Sequence, residues 1–244
     1  MYRASAKQTA SRHPTKNVKQ AGGITMEHAT PASERILHIK EKRICLDSSA
    51  VLYARPFDEQ SLREDFEATG GQWRAEADGW IVGETKRDGA GILYSRASYE
   101  GDILLDFIAQ PVPPCCNDLN FAWKASGWNY EKDDADKGYI GGLGGWWLNR
   151  AGIEKYPGCV PFVSTSLYPL EAAKTYHIQV GSVGGHCFLF ANGALVVEMI
   201  DPQPQTLDGC GRFGLGTYAS AIRFTGLTVY RPFYEPTCFS YLHQ

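Results

Sequence analysis

The chain has 244 residues, of which 43% are hydrophobic and 12% aromatic, with 26 glycines and 13 prolines. This size and composition favour one large β domain with many tight turns over a helical protein. The formal net charge of −3 leaves no basic excess to hold a polyanion, so we expect no nucleic-acid partner. No stretch approaches the length of a membrane span, so we expect no membrane partner either.

Residues 1–33 contain five Lys or Arg and few bulky apolar side chains, which predicts a disordered basic tail. We predict a single domain over residues 34–235 and a C-terminal tail over 236–244. Met26 motivates the hypothesis that the natural start lies there. The tail lacks the continuous apolar core of a secretory signal, and the seven cysteines show no CxxC or metal-finger spacing. We therefore predict a cytoplasmic protein with no metal and no cofactor.

Turn signals predict an all-β fold with one helix. Ser61 with Glu64 has the form of a capping box, which predicts a short helix near residues 61–68. From Trp73 onward, turn residues recur about every ten residues, the spacing of sandwiches and barrels. Asp78–Gly79 and Asn192–Gly193 predict hairpin turns, and a parity shift around Gly226 predicts a bulge. The fold class predicted is a two-sheet antiparallel jelly-roll β-sandwich.

The segment 118–123 alternates strictly between apolar and polar residues. If Leu119, Phe121 and Trp123 face the core, Asp118 and Asn120 must point to the opposite face of the sheet. We predict that this opposite face carries a ligand site.

Aromatic and polar side chains are concentrated just after this strand, with four of the six tryptophans in residues 123–147. Sugars are recognised by flat aromatic surfaces together with planar amide, guanidinium or carboxylate groups. The candidate oligosaccharide-binding residues are Asn120, Trp128, Tyr139, Trp146, Trp147, Asn149, Arg150 and His177. The alternative for Trp123 and for one of Trp146 and Trp147 is a place in the core, and His177 alone on a strand is compatible with a structural role.

Glycoside hydrolysis needs two carboxylates on facing positions. The candidates are Asp118, Glu154 and Glu198, although no Glu-x-Asp-x-x-Glu signature is present and Glu198 is equally compatible with an outward strand residue. Elimination at a uronate would need a Tyr or His base and an Arg to hold the carboxylate. The residues available for those roles are Tyr139, Tyr156, His177 and Arg150.

A set of segments in a fixed order carries a family resemblance: 52–57, Gly70–Gly71, Trp80, 176–178, 190–193, Glu198, 211–216 and 222–224. Their order resembles the YesU-like family of bacterial proteins, within the concanavalin A-like lectin/glucanase superfamily, with distant similarity to 3-keto-disaccharide hydrolase domains. The resemblance spans about 180 residues. It implies a two-sheet jelly roll and a setting among proteins for plant cell-wall polysaccharide use. Residues 115–165 depart most from the family pattern.

Together these patterns predict a carbohydrate-active protein that binds a plant-type oligosaccharide on a concave sheet face, with hydrolysis or elimination left open. The alternative is a non-catalytic lectin-like module that binds a glycan or a protein. A homodimer is a further alternative, favoured if Trp146 and Trp147 pack against a second subunit.

Overall fold

Alternating apolar residues and frequent turns produce a chain made almost wholly of strands. The computed structural model describes residues 34–86, 89–145, 149–205 and 209–237, and the structural statements below concern these residues. The first strands are β1 (Ile36–Ile39), β2 (Lys42–Tyr53), β3 (Phe66–Ala68), β4 (Gln72–Ala75), β5 (Ile81–Glu84), β6 (Ala90–Ser95), β7 (Ile103–Pro111), β8 (Leu119–Ala125) and β9 (Trp128–Asn129). The remaining strands are β10 (Asp134–Ala135), β11 (Gly138–Gly145), β12 (Arg150–Tyr156), β13 (Phe162–Thr165), β14 (Tyr176–Val183), β15 (His186–Ala191), β16 (Ala194–Ile200), β17 (Arg212–Tyr218) and β18 (Ala221–Pro236).

The strands form two large antiparallel sheets. Sheet I has the order β1-β2-β18-β7-β14-β15-β16, with β5 added to β18 and β4 to β5. Sheet II has the order β13-β12-β11-β8-β17-β6-β3, and β9 and β10 form a separate hairpin. The predicted all-β, two-sheet antiparallel sandwich is therefore confirmed.

The main core lies between the two sheets. Phe107 of sheet I meets Phe121 of sheet II with 5.8 Å between ring centroids. Leu119, Phe121 and Trp123 are all buried in this core, so the parity predicted for β8 is confirmed. Asn120 and its neighbours of the same parity therefore face away from sheet I.

Sheet I has a second apolar cluster on its outer face. Leu37 and Ile39 of β1 pack there against Phe188 and Phe190 of β15. The backbone N–H of Lys40 donates to the carboxylate of Glu198 on β16. The β1–β2 hairpin thus folds over the outer face of its own sheet and covers it.

The two predicted hairpin turns and the predicted bulge are confirmed. Asn192 and Gly193 both have positive φ, 51° and 79°, as a two-residue type I′ hairpin turn requires. The register of β18 shifts between Thr225 and Thr228, around Gly226. The Asp78–Gly79 turn joins β4 to β5 as predicted, and Glu76 N–H donates to the Trp80 carbonyl across it.

The helix α1 spans Glu59–Asp65, earlier than the predicted 61–68. Its N-cap is Asp58, and Ser61 occupies the third helical position, where it bonds back to the Asp58 N–H. The helix therefore has a capping box, but it is formed by Asp58 and Ser61 instead of the predicted Ser61 and Glu64. The Asp58 carboxylate accepts from the Ser61 N–H.

The described residues from Glu34 onward belong to one compact unit. Strand β18 continues to Pro236, and the Thr237 N–H donates to the Glu41 carbonyl, so pairing extends slightly past the predicted domain end. The predicted tail at 1–33 and most of the one at 236–244 lie outside the described residues. Within the described part of the chain, no helix has the length and apolar character needed to cross a bilayer.

Candidate functional site

A cleft of about 630 Å³ lies on the outer face of sheet II, on the side away from sheet I. Both apolar and carboxylate side chains line it. Its lining consists of Ala90, Ile92, Asp118, Asn120, Trp128, Asp133, Asp134, Ile140, Glu154, Tyr156, Cys159, Phe162, Thr217 and Tyr218. The predicted residues Asp118, Asn120, Trp128 and Glu154 therefore share one cleft, on the face that strand parity indicated.

Glycines leave room for the side chains on the floor of the cleft. Asn120 of β8 pairs with Gly142 of β11 on one side and with Gly216 of β17 on the other. A Cβ on Gly142 would lie 2.4 Å from Asn120 Oδ1 and 2.7 Å from the Leu119 carbonyl oxygen. The glycine is therefore required for the position that Asn120 occupies.

Asp118 lies at one end of the cleft, just before β8, with a φ of 52°. The Asn117 amide donates to Asp118 Oδ2 at 3.2 Å and also to the Tyr218 carbonyl, which ties this carboxylate to the end of β17. Burial raises the pKa of the Asp118 carboxyl, while hydrogen bonds from Asn117 and Asn120 act in the opposite direction. Asp118 is thus a desolvated carboxyl that contacts neutral amides.

Glu154 lies toward the other end, on β12, opposite Ile140 of β11 and Phe162 of β13. The Tyr156 hydroxyl donates to Glu154 Oε1 at 3.0 Å. Burial raises the pKa of the Tyr156 hydroxyl and of the Cys159 thiol, and the nearby Glu154 charge adds to both shifts. Phe162, beside this group, keeps 47% of its surface exposed.

The β9–β10 hairpin extends over the cleft. Trp128 packs on the small apolar cluster of the outer face, which includes Ile92 and Ala122. Its indole N–H donates to Asp133 Oδ1 at 3.3 Å. The sequence pattern at 132–136 is that of a solvated loop, but the structure brings Asp133 and Asp134 into the cleft lining because the hairpin folds back.

The two predicted catalytic carboxylates of the cleft are far apart along the sheet. Glu154 is two strands from Ala122 in register, and Asp118 precedes Ala122 by four residues. With strands about 4.8 Å apart and a rise of about 3.3 Å per residue, their Cα atoms are about 16 Å apart. Because strand side chains stand roughly perpendicular to the sheet, the two carboxyl groups are separated by a similar distance, which exceeds the roughly 5–10 Å between the carboxyl groups of a hydrolytic pair.

Tyr139 does not line the cleft, contrary to its predicted role in binding. It is fully buried in the main core, stacked on Trp123 with 5.4 Å between centroids. Its hydroxyl donates to Asp201 Oδ2 at 2.7 Å, and Lys155 Nζ lies 2.8 Å from the same carboxylate. Tyr139 therefore has a structural role, in a buried polar network.

Glu198 and His177 lie on sheet I and cannot act in the cleft of sheet II. Glu198 Oε2 lies 2.9 Å from His186 Nε2 and accepts from the Lys40 N–H at 3.0 Å. His177 Nε2 lies 2.7 Å from Asp106 Oδ1. The prediction that Glu198 and His177 share a surface with Asp118 is wrong, because β14 and β16 belong to sheet I. Local alternation gives the face of a strand but not the sheet to which the strand belongs.

The last predicted residues lie beyond β11. Asn149 is exposed, and its Oδ1 accepts from the Leu170 N–H at 3.2 Å, which holds a loop. Arg150 is the first residue of β12 and is not among the residues that line the cleft. Trp146 and Trp147 lie outside the described residues.

Sequence analysis missed several residues of the lining, chiefly Ile140, Phe162, Tyr218 and the pair Asp133–Asp134. Tyr218 has the parity of Gly214 and Gly216 on β17, so its face could have been assigned once that of the glycines was known. Phe162 begins a four-residue strand, Phe-Val-Ser-Thr, that pairs with β12 and has no alternation to indicate its face. No sequence signal indicates that the 126–137 excursion folds back over the sheet.

No family model matches the chain, and no curated protein sequence matches it. Solved structures do match. A protein of unknown function with a galectin-like fold from Bacillus subtilis matches with a TM-score of 0.60 at 12% identity, over 75% of this chain and 96% of that one. The fold is a galectin-like jelly roll.

Two further structures have the same architecture. A carbohydrate binding module from Bacillus subtilis matches with a TM-score of 0.53 at 16% identity, covering 68% of this chain and 95% of that one. The carbohydrate recognition domain of Emp46p in its potassium-bound form matches with a TM-score of 0.53 at 12% identity, covering 75% and 95%. At these identities the comparisons establish the fold alone.

Proposed function

We propose that this jelly roll binds an oligosaccharide across the cleft of sheet II. The observation that carries the proposal is the combination, in one cleft, of exposed aromatic rings with an amide–carboxylate array on a glycine-rich floor. Two of the structures with the same architecture are a carbohydrate binding module and a carbohydrate recognition domain, which agrees with the proposal.

The polar groups match the requirements of sugar hydroxyls. Asp118 offers acceptor oxygens, and Asn120 beside it in the lining offers an amide donor and an acceptor oxygen. Two neighbouring hydroxyls of a sugar can donate to the Asp118 carboxylate and the amide oxygen, while the amide N–H donates to a hydroxyl oxygen. Trp128, Phe162 and Tyr218 supply rings for the apolar C–H faces of a pyranose.

The spacing of the rings favours an oligosaccharide over a monosaccharide. Phe162 on β13 and Tyr218 on β17 are four strands apart and are offset by four residues along the strands. From strand geometry their Cα atoms are about 23 Å apart, which is longer than a single sugar ring. A ligand that contacts both rings must therefore contain several sugar units.

Binding without chemistry is the function the cleft supports best. The estimated separation of Asp118 from Glu154 does not suit a hydrolytic pair. Hydrolysis is the second candidate, and the raised pKa of Asp118, in the same cleft as Glu154, is the observation that favours it. Elimination has less support, because no Arg, Lys or His is among the described residues that line the cleft.

Membership of the YesU-like family and a plant-type ligand are part of the proposal. They are supported by the order of sequence features and by the galectin-like fold. The cytoplasmic location stays a prediction.

A glycan array followed by calorimetric titration tests the proposal. We expect binding to one class of oligosaccharide and a loss of about tenfold in affinity for Asp118→Asn, since a charged hydrogen bond contributes about 1.5–3 kcal/mol. Asp47→Asn is the matched control, because it removes the same charge from an exposed pair with Arg35 on sheet I. Absence of binding across pectic, hemicellulosic, glucan and amino-sugar oligomers would overturn the proposal.

Turnover of the bound oligosaccharide separates the two candidates. If product forms and Asp118→Asn abolishes it while binding is kept, hydrolysis replaces binding as the function. If the ligand is recovered intact after prolonged incubation, the binding function stands.

A further inference from the structure

The cleft carries negative charge along its whole length. Asp118 lies at one end, Glu154 toward the other, and Asp133 and Asp134 lie on the hairpin above. Among the described residues of the lining there is no Lys, Arg or His. A ligand in this cleft therefore meets four acidic side chains and no basic one.

The surroundings make these charges effective. Ile92, Ile140, Trp128 and Phe162 form apolar walls, which lower the local dielectric response and strengthen electrostatic interactions with a ligand. Asp118 is desolvated and contacts the neutral amides of Asn117 and Asn120, which stabilise its charge but do not cancel it. An anionic glycan would be repelled, and a cationic group would be attracted.

The distribution of the carboxylates argues against a single bound metal ion. A metal site needs several ligands within about 2–3 Å of one point. Among the described residues, no group of three His, Cys, Asp or Glu comes together in that way. Charges spread over the length of a cleft instead match a ligand with a charge on each of several units.

From these observations we propose that the ligand is an amino-bearing, cationic oligosaccharide, such as an oligomer of 2-amino-2-deoxyhexose, bound more tightly than neutral or acidic glycans of the same length. This inference rests on the proposed function, since it names the class of oligosaccharide that the same cleft binds, and it replaces the plant-type ligand that the sequence resemblance implies. Each protonated amine along the chain lies near a carboxylate, while the sugar faces stack on Trp128, Phe162 and Tyr218.

The test compares tetramers of equal length by calorimetry at pH 6: glucosamine, N-acetylglucosamine, glucose and galacturonate. The first two differ only in the charged amine and its neutral amide. We expect the glucosamine tetramer to bind at least about tenfold more tightly than the other three. We also expect this advantage to fall between 20 and 300 mM salt as screening increases.

Variants assign the preference to the cleft. Asp133→Asn with Asp134→Asn should reduce the preference for glucosamine over N-acetylglucosamine about tenfold, measured as the ratio of the two affinities in the same variant. Asp47→Asn on sheet I removes a carboxylate elsewhere and should leave the preference intact. A thermal melt of each variant confirms that it is folded.

The outcomes are distinguishable. If a neutral or acidic tetramer binds as tightly as the glucosamine tetramer, the charge inference is overturned while oligosaccharide binding stands. A preference that survives unchanged in the double variant and also in Asp118→Asn and Glu154→Gln overturns it, because the attraction then does not come from the carboxylates of the cleft. If none of the tetramers and no glycan on the array binds, the proposed function itself is overturned, and this inference with it.

Discussion

The outer faces of the two sheets both carry carboxylates, but the two faces hold them differently. On sheet I, Glu198 is engaged by His186 and by the Lys40 N–H, and Asp106 is engaged by His177 and Gln179. On sheet II, Asp118 contacts neutral amides at the edge of a cleft. The carboxylates of sheet I therefore stabilise the fold, while Asp118 is placed where a ligand can reach it.

The two outer faces differ because a hairpin packs closely on one of them and not on the other. The β1–β2 hairpin packs on the outer face of sheet I and buries Phe188 and Phe190. The β9–β10 hairpin extends over sheet II but leaves a cleft of about 630 Å³ beneath it. The β1–β2 hairpin thus closes the outer face of sheet I, whereas the β9–β10 hairpin leaves the outer face of sheet II open. A ligand is expected at the open face.

The largest effect is expected from Gly142→Val, which fills the floor of the cleft. The new Cβ would meet both Asn120 Oδ1 and the Leu119 carbonyl, so the strand must shift. We expect glycan binding to be lost and the free energy of unfolding to fall by about 1–3 kcal/mol. Gly89→Ala is the control, because its Cβ would have its nearest neighbour at 3.4 Å, an ordinary contact.

Calorimetric titration and urea unfolding of both variants measure these changes. Full glycan affinity in a folded Gly142→Val protein would show that the ligand lies elsewhere, and the contrast between the two faces would then fail.

Glu198→Ala should affect stability and leave binding unchanged. It leaves the buried His186 Nε2 and the Lys40 N–H without an acceptor, at an expected cost of about 2 kcal/mol. Glu198→Gln keeps an acceptor oxygen and should cost less. Chemical denaturation measures both variants, and a loss of glycan affinity in a folded Glu198→Ala protein would contradict the assignment of this residue to the fold.

Trp128→Ala should weaken glycan binding about tenfold, because an aromatic contact contributes about 0.5–1.5 kcal/mol. The matched control is Trp80→Ala. Trp80 is also half-buried but lies on the side of sheet I, with the Arg223 guanidinium 4.3 Å from its ring centroid. Equal losses of affinity in the two variants would count against a site under the β9–β10 hairpin.

The smallest effect is expected from the pH dependence of sheet I. The hydrogen bond with Asp106 raises the pKa of His177, so its stabilising contribution is fully present below about pH 6.5 and is lost as pH rises through the folded-state pKa. Because His177 is partly exposed, we expect His177→Asn to cost only about 0.5 kcal/mol at pH 5.5 and less at pH 9.

His186 on the same sheet has the opposite sign. Burial lowers its pKa, so the stability linked to it is present above about pH 6.5 and declines as pH falls through that unfolded-state value.

Unfolding curves of His177→Asn and of the parent protein at several pH values isolate the His177 contribution. A larger cost at pH 9 than at pH 5.5 would contradict the ion pair.

Period-two alternation was enough to predict the open face. In β8 it assigned Leu119 and Phe121 to the core and Asn120 to the opposite face, and the structure agrees. Turn chemistry at Asn192–Gly193 was equally local, since only residues that tolerate positive φ suit that hairpin.

The failures have a different physical origin. Tyr139 lies in the glycine-rich strand Gly138–Gly145, where no alternation of apolar residues fixes which face it takes. Glu198 faces outward as its strand pattern allowed, but its sheet depends on pairing between distant segments. The position of Asp133 and Asp134 depends on a hairpin that folds back over the sheet, which local sequence does not encode.

The most direct test of the central claim is an NMR titration that follows the indole N–H signals with the tightest oligosaccharide found on the array. Trp128 lines the cleft, Trp123 is buried in the core, and Trp73 and Trp80 lie on the side of sheet I. We predict a saturable shift of the Trp128 signal with little change at Trp73, Trp80 and Trp123. A shift at Trp80 or Trp73 with Trp128 unchanged would contradict a glycan site on sheet II.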